Sequence, residues 1–153
     1  MEEQLKQAKL KALRLLTDID RTEAELREKL KGKGFSEEII HQAIEYVNSF
    51  GYLDDSRYAR RFVESKKDSK SRYELMGTLL QKGIEKEIIL GVLEECYPRE
   101  DERMTILHLI EKQHFSIENS TAEEKKKLCA RFLRKGFHYE DIQKIIEVSS
   151  WNA

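Results

Sequence analysis

Two adjacent carboxylates, Asp54 and Asp55, are the residues of this chain that most resemble a chemical centre in type and spacing. Neighbouring acids could bind a divalent cation or exchange protons with a substrate. They stand, however, between a Gly-Tyr-Leu turn and a predicted helix, where carboxylates bond the free amide groups of a helix start. We therefore expect Asp55 to cap this helix, with its neighbour in the same turn, and we expect no acid–base or metal chemistry from the pair.

The histidines and cysteines offer no better centre. His108 and His114 are six residues apart, which places them on different faces of a helix, and the sequence has no His-x-x-x-His or Cys-x-x-Cys spacing. It also lacks a Gly-rich phosphate loop and a nucleophile elbow. We expect a protein that is not an enzyme and that requires no metal or cofactor.

Lysine and arginine have the clearest binding chemistry, because they are concentrated in two stretches of a chain whose net charge is −1. Residues 56–72 carry seven basic and two acidic groups, and residues 125–153 carry seven and three, whereas the remaining segments are acidic. Cations grouped in this way bind phosphates or acidic protein surfaces; the alternative is an ordinary solvated helix face. The candidate binding residues are Arg57, Arg60, Arg61, Lys66, Lys67, Lys70 and Arg72 in the first stretch, and Lys126, Arg131 and Arg134 in the second.

A repeated helix–Gly–helix unit positions these cations. Its copies align on Gly34, Gly83 and Gly136, which are 49 and 53 residues apart, and a lysine precedes each glycine. Apolar residues on both sides recur at spacings of three and four, which is typical of one buried helical face. A Thr or Ser followed three residues later by Glu predicts a capping box at the start of each unit, and the glycine ends its first helix in the left-handed conformation.

One further helix precedes each unit, so the sequence predicts an all-α protein of about nine helices in three tandem three-helix repeats. The expected domains are residues 1–53, 54–99 and 100–153. Repeats of this size are marginal alone, so we expect an elongated array whose neighbours stabilise one another. No apolar run approaches the roughly 18 to 20 residues that cross a bilayer. We expect a cytoplasmic monomer without a membrane partner.

Residues 51–63, GYLDDSRYARRFV, resemble the signature of the RecX family. The preceding AELREKLKGKGFSEEIIHQAIEYVNSFG and the later LLQKGI match the same family in the same order, and the similarity is best over residues 8–96. The resemblance implies a curved array of three-helix repeats that lies in the groove of the RecA recombinase filament on DNA. There it would limit filament growth or stability, and with it ATP hydrolysis, strand exchange and the RecA-assisted cleavage of repressors. Single- or double-stranded DNA is a further candidate partner.

Two other classes of function stay open. One is a stand-alone nucleic-acid-binding protein, which a strong affinity for DNA without recombinase would indicate. The other is a helical scaffold for an unrelated protein, which a lack of effect on RecA filaments would indicate.

A second group of residues is expected to hold the repeats together. Tyr52, Leu53 and Phe62 should be packing residues, and Gly34 and Gly83 should have positive φ. The complete structural set is Gly34, Phe35, Gly51, Tyr52, Leu53, Asp54, Asp55, Phe62, Gly83 and Gly136.

Overall fold

The computed structural model describes residues 2–151, with side chains up to residue 146. This part of the chain forms nine α-helices and one short 3-10 turn (Arg99–Asp101), and it contains no strand. The helices are α1 Glu2–Asp18, α2 Glu23–Gly32, α3 Glu37–Ser49, α4 Asp55–Lys66, α5 Arg72–Gln81, α6 Lys86–Cys96, α7 Glu102–Lys112, α8 Ala122–Arg134 and α9 Tyr139–Trp151. The predicted all-α fold of three successive helix triples is confirmed.

The chain divides into two compact units. The first comprises Met1–Arg61 with Leu79–Ile89, and the second comprises Phe62–Thr78 with Leu90–Ala153. Helices α4, α5 and α6 each pass from one unit into the other. The proposed domain boundaries after residues 53 and 99 therefore stay a prediction.

Each unit has its own apolar core. In the first unit α1 packs mainly on α3, because the fully buried Ala8 and Ala12 let the two helices approach closely. In the second unit the rings of Phe132 and Phe137 meet edge to face at 5.6 Å, which joins α8 to the segment before α9. The first core contains Ala8, Ala12, Leu15, Leu26, Leu30, Ile39, Ile40, Ala43, Ile44, Val47 and Leu53. The second contains Ile106, Leu109, Ile110, Ile117, Leu128, Cys129, Phe132, Phe137, Ile142, Ile145 and Ile146.

The predicted helix starts are present. The Thr22 hydroxyl accepts from the Glu25 amide at 3.1 Å, while the Glu25 carboxylate accepts from the Thr22 amide at 3.0 Å. The same reciprocal pair forms between Ser71 and Glu74 and between Thr121 and Glu124. Three capping boxes therefore begin α2, α5 and α8.

The predicted helix ends are present too. Gly34 has φ +91° and Gly83 has φ +85°, and Gly136 has the same conformation with φ +94°. This left-handed backbone reverses the chain at low cost only for glycine, so it ends α2, α5 and α8.

The turn between α3 and α4 corrects two predictions. Leu53 is buried as expected, but Tyr52 is 53% exposed and stacks on the exposed ring of Phe50 at 6.0 Å. The two adjacent side chains therefore have different surroundings, since Leu53 joins the first core and Tyr52 faces solvent. The cap of α4 is Asp54, whose carboxylate accepts from the Arg57 amide at 3.0 Å, and the prediction that Asp55 caps the helix is wrong.

Asp55 instead takes part in a contact between successive repeats. Its carboxylate accepts from the Glu23 amide at 2.9 Å, and the Thr22 hydroxyl donates to the Lys82 carbonyl oxygen at 2.7 Å. The start of α2 therefore meets the end of α5, within the first unit. We call this arrangement a repeat joint.

A second repeat joint has the same contacts within the second unit. The Ser71 hydroxyl donates to the Lys135 carbonyl oxygen, and the Glu102 carboxylate accepts from the Arg72 amide at 3.3 Å. Asp55 and Glu102 are both the first residue of a helix, α4 and α7. The cap hydroxyl thus has two functions, because it accepts from its own helix and donates to the next repeat.

The glycines complete both joints. A Cβ atom on Gly83 would overlap the Cβ atom of Ala24, and one on Gly136 would lie 2.6 Å from the Cβ atom of Tyr73. By contrast, nothing lies within 4 Å of a Cβ atom on Gly34. Gly83 and Gly136 are therefore required both for their backbone angle and for the space they leave, and Gly34 only for its backbone angle.

Candidate partner-binding surface

The first basic stretch contains three side chains that are engaged inside the fold. Arg57 donates to the carbonyl oxygens of Gly51 at 3.0 Å and Tyr52 at 3.4 Å, which fixes the turn before α4. Lys67 donates to the Cys96 carbonyl oxygen at 3.2 Å, near the end of α6. These cations stabilise the fold, and their charges are partly satisfied before any partner arrives.

Arg72 is the third engaged side chain of the first stretch. Its guanidinium lies 2.7 Å from the carboxylate of Glu94, and only 19% of the side chain is exposed. A charge held in this way is poorly placed to bind a separate partner, because the ion pair would have to break first.

The other members of the first stretch face solvent. Arg61 is 3.5 Å from Asp20, in an exposed pair that contributes little stability. Arg60 is exposed and engaged in a contact of its own. Lys66 and Lys70 are exposed, and in the described part of the chain neither amino group has an ion pair. Phe62 is half-buried, so its ring packs only partly into the protein.

The second basic stretch is better placed to bind a partner. Lys126, Arg131 and Arg134 are exposed on α8, and within the described residues none of them forms an ion pair. Lys127, which belongs to the same basic run of the sequence, is exposed in the same way.

The sequence of α8 explains why these cations face outward. Leu128, Cys129 and Phe132 are buried in the core of the second unit, and their spacing of three and four gives the helix one apolar face. The intervening basic residues must then lie on the remaining surface. The Thr121–Glu124 capping box fixes where this helix begins.

Part of this surface forms a groove. A cavity of about 550 Å³ opens beside α8, lined by Phe115, Glu124, Lys127, Ala130, Arg131 and Arg134. Phe115 follows His114, whose φ of +56° turns the chain after α7. Sequence reasoning missed Phe115, because a non-glycine residue rarely adopts positive φ and the sequence around His114 contains no glycine to mark the turn. The groove places the Phe115 ring beside three cations and the Glu124 carboxylate, and this excess of positive charge suits an anionic group.

The described residues offer no competing metal centre, since they contain no cluster of three or more His, Cys, Asp or Glu side chains that could hold an ion. No described helix is long and apolar enough to cross a membrane.

Comparison with known proteins places the chain among its relatives. Three successive family models match it: the first three-helix domain of RecX over residues 8–46, the second over residues 54–93 and the third over residues 100–146. The chain belongs to the RecX family. This agrees with the resemblance seen at the Gly-Tyr-Leu-Asp-Asp segment.

Individual RecX proteins match along most of the chain. Regulatory protein RecX of Caldanaerobacter subterraneus subsp. tengcongensis is 40% identical over 94% of this chain and 71% of its own. Regulatory protein RecX of Trichlorobacter lovleyi is 37% identical over 90% of this chain and 92% of its own. The crystal structure of RecX from Lactobacillus salivarius has a TM-score of 0.84 and 24% identity, and the match covers 99% of both chains. The first two of these relatives are named regulatory proteins.

Proposed function

We propose that this protein binds the RecA recombinase filament on DNA and restrains its recombinase, ATPase and coprotease activities. Its RecX relatives are named regulatory proteins, which supports a regulatory role. The observation that carries the proposal is the set of exposed cations on α8, which have no ion pair within the described residues and border a groove.

The chemistry of the surface favours a protein partner over free DNA. The whole chain carries a net charge of −1, so long-range attraction to a polyanion is weak. A local patch of arginines still recognises carboxylates on a recombinase, and it can reach phosphates when the filament holds DNA nearby. We therefore propose the recombinase as the main partner and filament-bound DNA as a secondary one. The protein would act as a monomer, in the cytoplasm where such filaments form, and without a cofactor.

The test measures ATP hydrolysis by RecA on single-stranded DNA while this protein is titrated in. The wild-type chain should slow hydrolysis. The Arg131→Glu, Arg134→Glu variant should lose most of this effect, because two attractive charges become repulsive. A Lys6→Glu, Lys29→Glu variant carries the same change in net charge on exposed positions of α1 and α2, and it should inhibit like the wild type.

A variant in the first basic stretch shows whether α4 contributes as much to inhibition as α8 does. An Arg60→Glu, Arg61→Glu variant should weaken inhibition less than the α8 variant. Full inhibition by the α8 variant would contradict the proposed surface, and would return attention to α4. Tight binding to DNA without recombinase would favour a stand-alone nucleic-acid-binding protein. No effect of the wild type on RecA would favour a scaffold for another protein.

A further inference from the structure

The two repeat joints show that one face of a repeat is built to receive the next. In each joint a cap hydroxyl, Thr22 or Ser71, donates to the carbonyl oxygen of a lysine, Lys82 or Lys135, that precedes a glycine. The residue two positions after each cap, Ala24 or Tyr73, packs directly against that glycine. Each joint thus has a cap half, which contains the cap hydroxyl, and a glycine half, which contains the Lys-Gly step. Three repeats form two joints, so the cap half of the third repeat and the glycine half of the first repeat are left unused.

The third repeat retains the cap half. Thr121 is exposed, and within the described residues its hydroxyl bonds only inside its own capping box, to Glu124. The next two residues, Ala122 and Glu123, are exposed as well. Glu123 corresponds to Ala24 and Tyr73 in the completed joints.

The first repeat retains the glycine half. Lys33 and Gly34 are exposed, and the space over Gly34 is clear for at least 4 Å. A groove of about 300 Å³ lies beside them, lined by Gln7, Leu10, Lys11, Arg14, Lys33 and Phe35. Leu10 is 50% exposed there and adds apolar surface to the groove.

Each unused half contains charged side chains that could pair across a contact between copies. Lys11, Arg14 and Lys33 line the groove of the glycine half and have no ion pair in the described part of the chain. The cap half carries the exposed carboxylates of Glu118, Glu123 and Glu124. Lys33 and Glu124 correspond to Lys82 and Glu25 of the first completed joint. There the two residues form an ion pair, with the Lys82 amino group 3.7 Å from the Glu25 carboxylate.

We infer that the unused cap half of one copy of this chain docks on the unused glycine half of a second copy, head to tail. The Thr121 hydroxyl of one copy donates to the Lys33 carbonyl oxygen of the next, and its Glu124 pairs with that Lys33. Residue 123 lies in the space over Gly34. The contact is heterologous, so each added copy leaves both halves available again and the assembly is an open chain.

The joint between copies is weaker than the joints inside the chain. Inside the chain the polypeptide already holds both halves together, whereas two separate copies must lose translational and rotational freedom. The free protein is therefore a monomer when dilute, and copies join only when they are concentrated.

Sedimentation velocity of the chain alone tests the inference, from about 10 µM to about 1 mM, the range in which weak contacts are populated. The wild type should sediment faster as its concentration rises. Gly34→Asn should stay monomeric, because Asn tolerates positive φ but its Cβ atom occupies the space that residue 123 needs. Glu123→Arg should also stay monomeric, since it places a cation against the cationic groove.

Each blocked variant has a matched control. Gly51→Asn places the same residue at another glycine of positive φ with open space around it. Glu87→Arg reverses a charge at the second residue of α6, the position that Glu123 holds in α8. Both controls should associate like the wild type, and circular dichroism should show that all four variants are folded.

Mixing the two blocked variants gives the decisive result. Gly34→Asn retains a working cap half and Glu123→Arg retains a working glycine half, so an equimolar mixture should form dimers and nothing longer. A symmetric contact would give no such rescue. The inference is overturned by a wild type that stays monomeric throughout, by loss of association in the controls, or by a mixture that remains monomeric.

Discussion

Gly83 lies directly over Ala24, so closely that a Cβ atom on the glycine would overlap the Cβ atom of the alanine. Gly34 has nearly the same backbone angle and no such neighbour. The pair separates the two reasons for a glycine at a helix end, which are freedom of the backbone and absence of a side chain.

We predict different costs for alanine at these positions. Gly34→Ala should lower the free energy of unfolding by about 1 kcal/mol, from strain at positive φ. Gly83→Ala should cost about 1 to 3 kcal/mol more, because the repeat joint must open to admit a methyl group. Urea unfolding of both variants provides the measurement. Equal losses would show that the space beside Gly83 adapts freely.

The Gly-Tyr-Leu turn and α4 give a graded series of truncations. Leu53→Ala should cost about 2 to 5 kcal/mol, as for a buried leucine, whereas Tyr52→Ala should cost less than about 1 kcal/mol because the ring is largely exposed. Full burial of Phe62 would imply a cost of roughly 3 to 5 kcal/mol. Its ring is half-buried, so we expect about half of that. Thermal unfolding should rank the three variants, and a large loss from Tyr52→Ala would contradict its exposure.

Glu102 links stability to pH. It is 1% exposed; one oxygen accepts from the Arg72 amide at 3.3 Å and the other lies 3.9 Å from the His138 ring. Burial raises the pKa of the Glu102 carboxyl above its ordinary 4.5, and the Asp141 carboxylate raises this pKa further. The Arg72 amide, His138 and the Arg72 guanidinium lower the same pKa, but by less than burial raises it. The folded protein therefore holds this proton more tightly than the unfolded chain does.

Because the pKa of Glu102 is raised in the folded state, the ionised carboxylate lowers the free energy of unfolding at neutral pH. This destabilisation disappears as the pH falls and the carboxyl takes up its proton. Glu102→Gln keeps an oxygen for the Arg72 amide and removes the charge. Its melting temperature should therefore equal or exceed that of the wild type at pH 7, and the advantage should vanish near the ordinary pKa of glutamate, about pH 4. Asp18→Asn, an exposed change in α1, is the control. An advantage that grows as the pH falls would have the wrong sign.

The features that sequence predicted are those set by neighbours along the chain. The capping boxes of Thr22, Ser71 and Thr121 and the left-handed Gly34 depend on residues within four positions, and all of them are present. Family membership followed from a long local segment. Such features need no knowledge of which distant residues meet.

The roles of single polar side chains were not predictable in this way. Arg72 is held by Glu94 and Lys67 by the carbonyl oxygen of Cys96, partners that lie 22 and 29 residues away. Asp55 bonds an amide 32 residues before it, which is why its local interpretation as a helix cap failed. A run of cations looks uniform in sequence, and only tertiary contacts separate the engaged ones from those on α8.

The last prediction separates the two chemical partners that the α8 cations could meet in a filament. Arg131→Gln and Arg134→Gln each remove one charge from the groove without reversing it. If the lost contact is with a DNA phosphate, the slope of log affinity against log salt should become shallower by roughly 0.7 to 0.9 for each variant, and affinity for bare DNA should fall in parallel.

If the contact is with an acidic side chain of the recombinase, binding should weaken with a smaller change in slope, because screening of a near-buried ion pair is modest. Affinity for bare DNA should then barely change. We expect this second pattern, since a chain of net charge −1 is a poor binder of free DNA. Fluorescence anisotropy with labelled single-stranded DNA, with and without RecA and across a salt series, measures both quantities. A parallel loss on bare DNA and on filaments would instead make DNA phosphate the partner of α8.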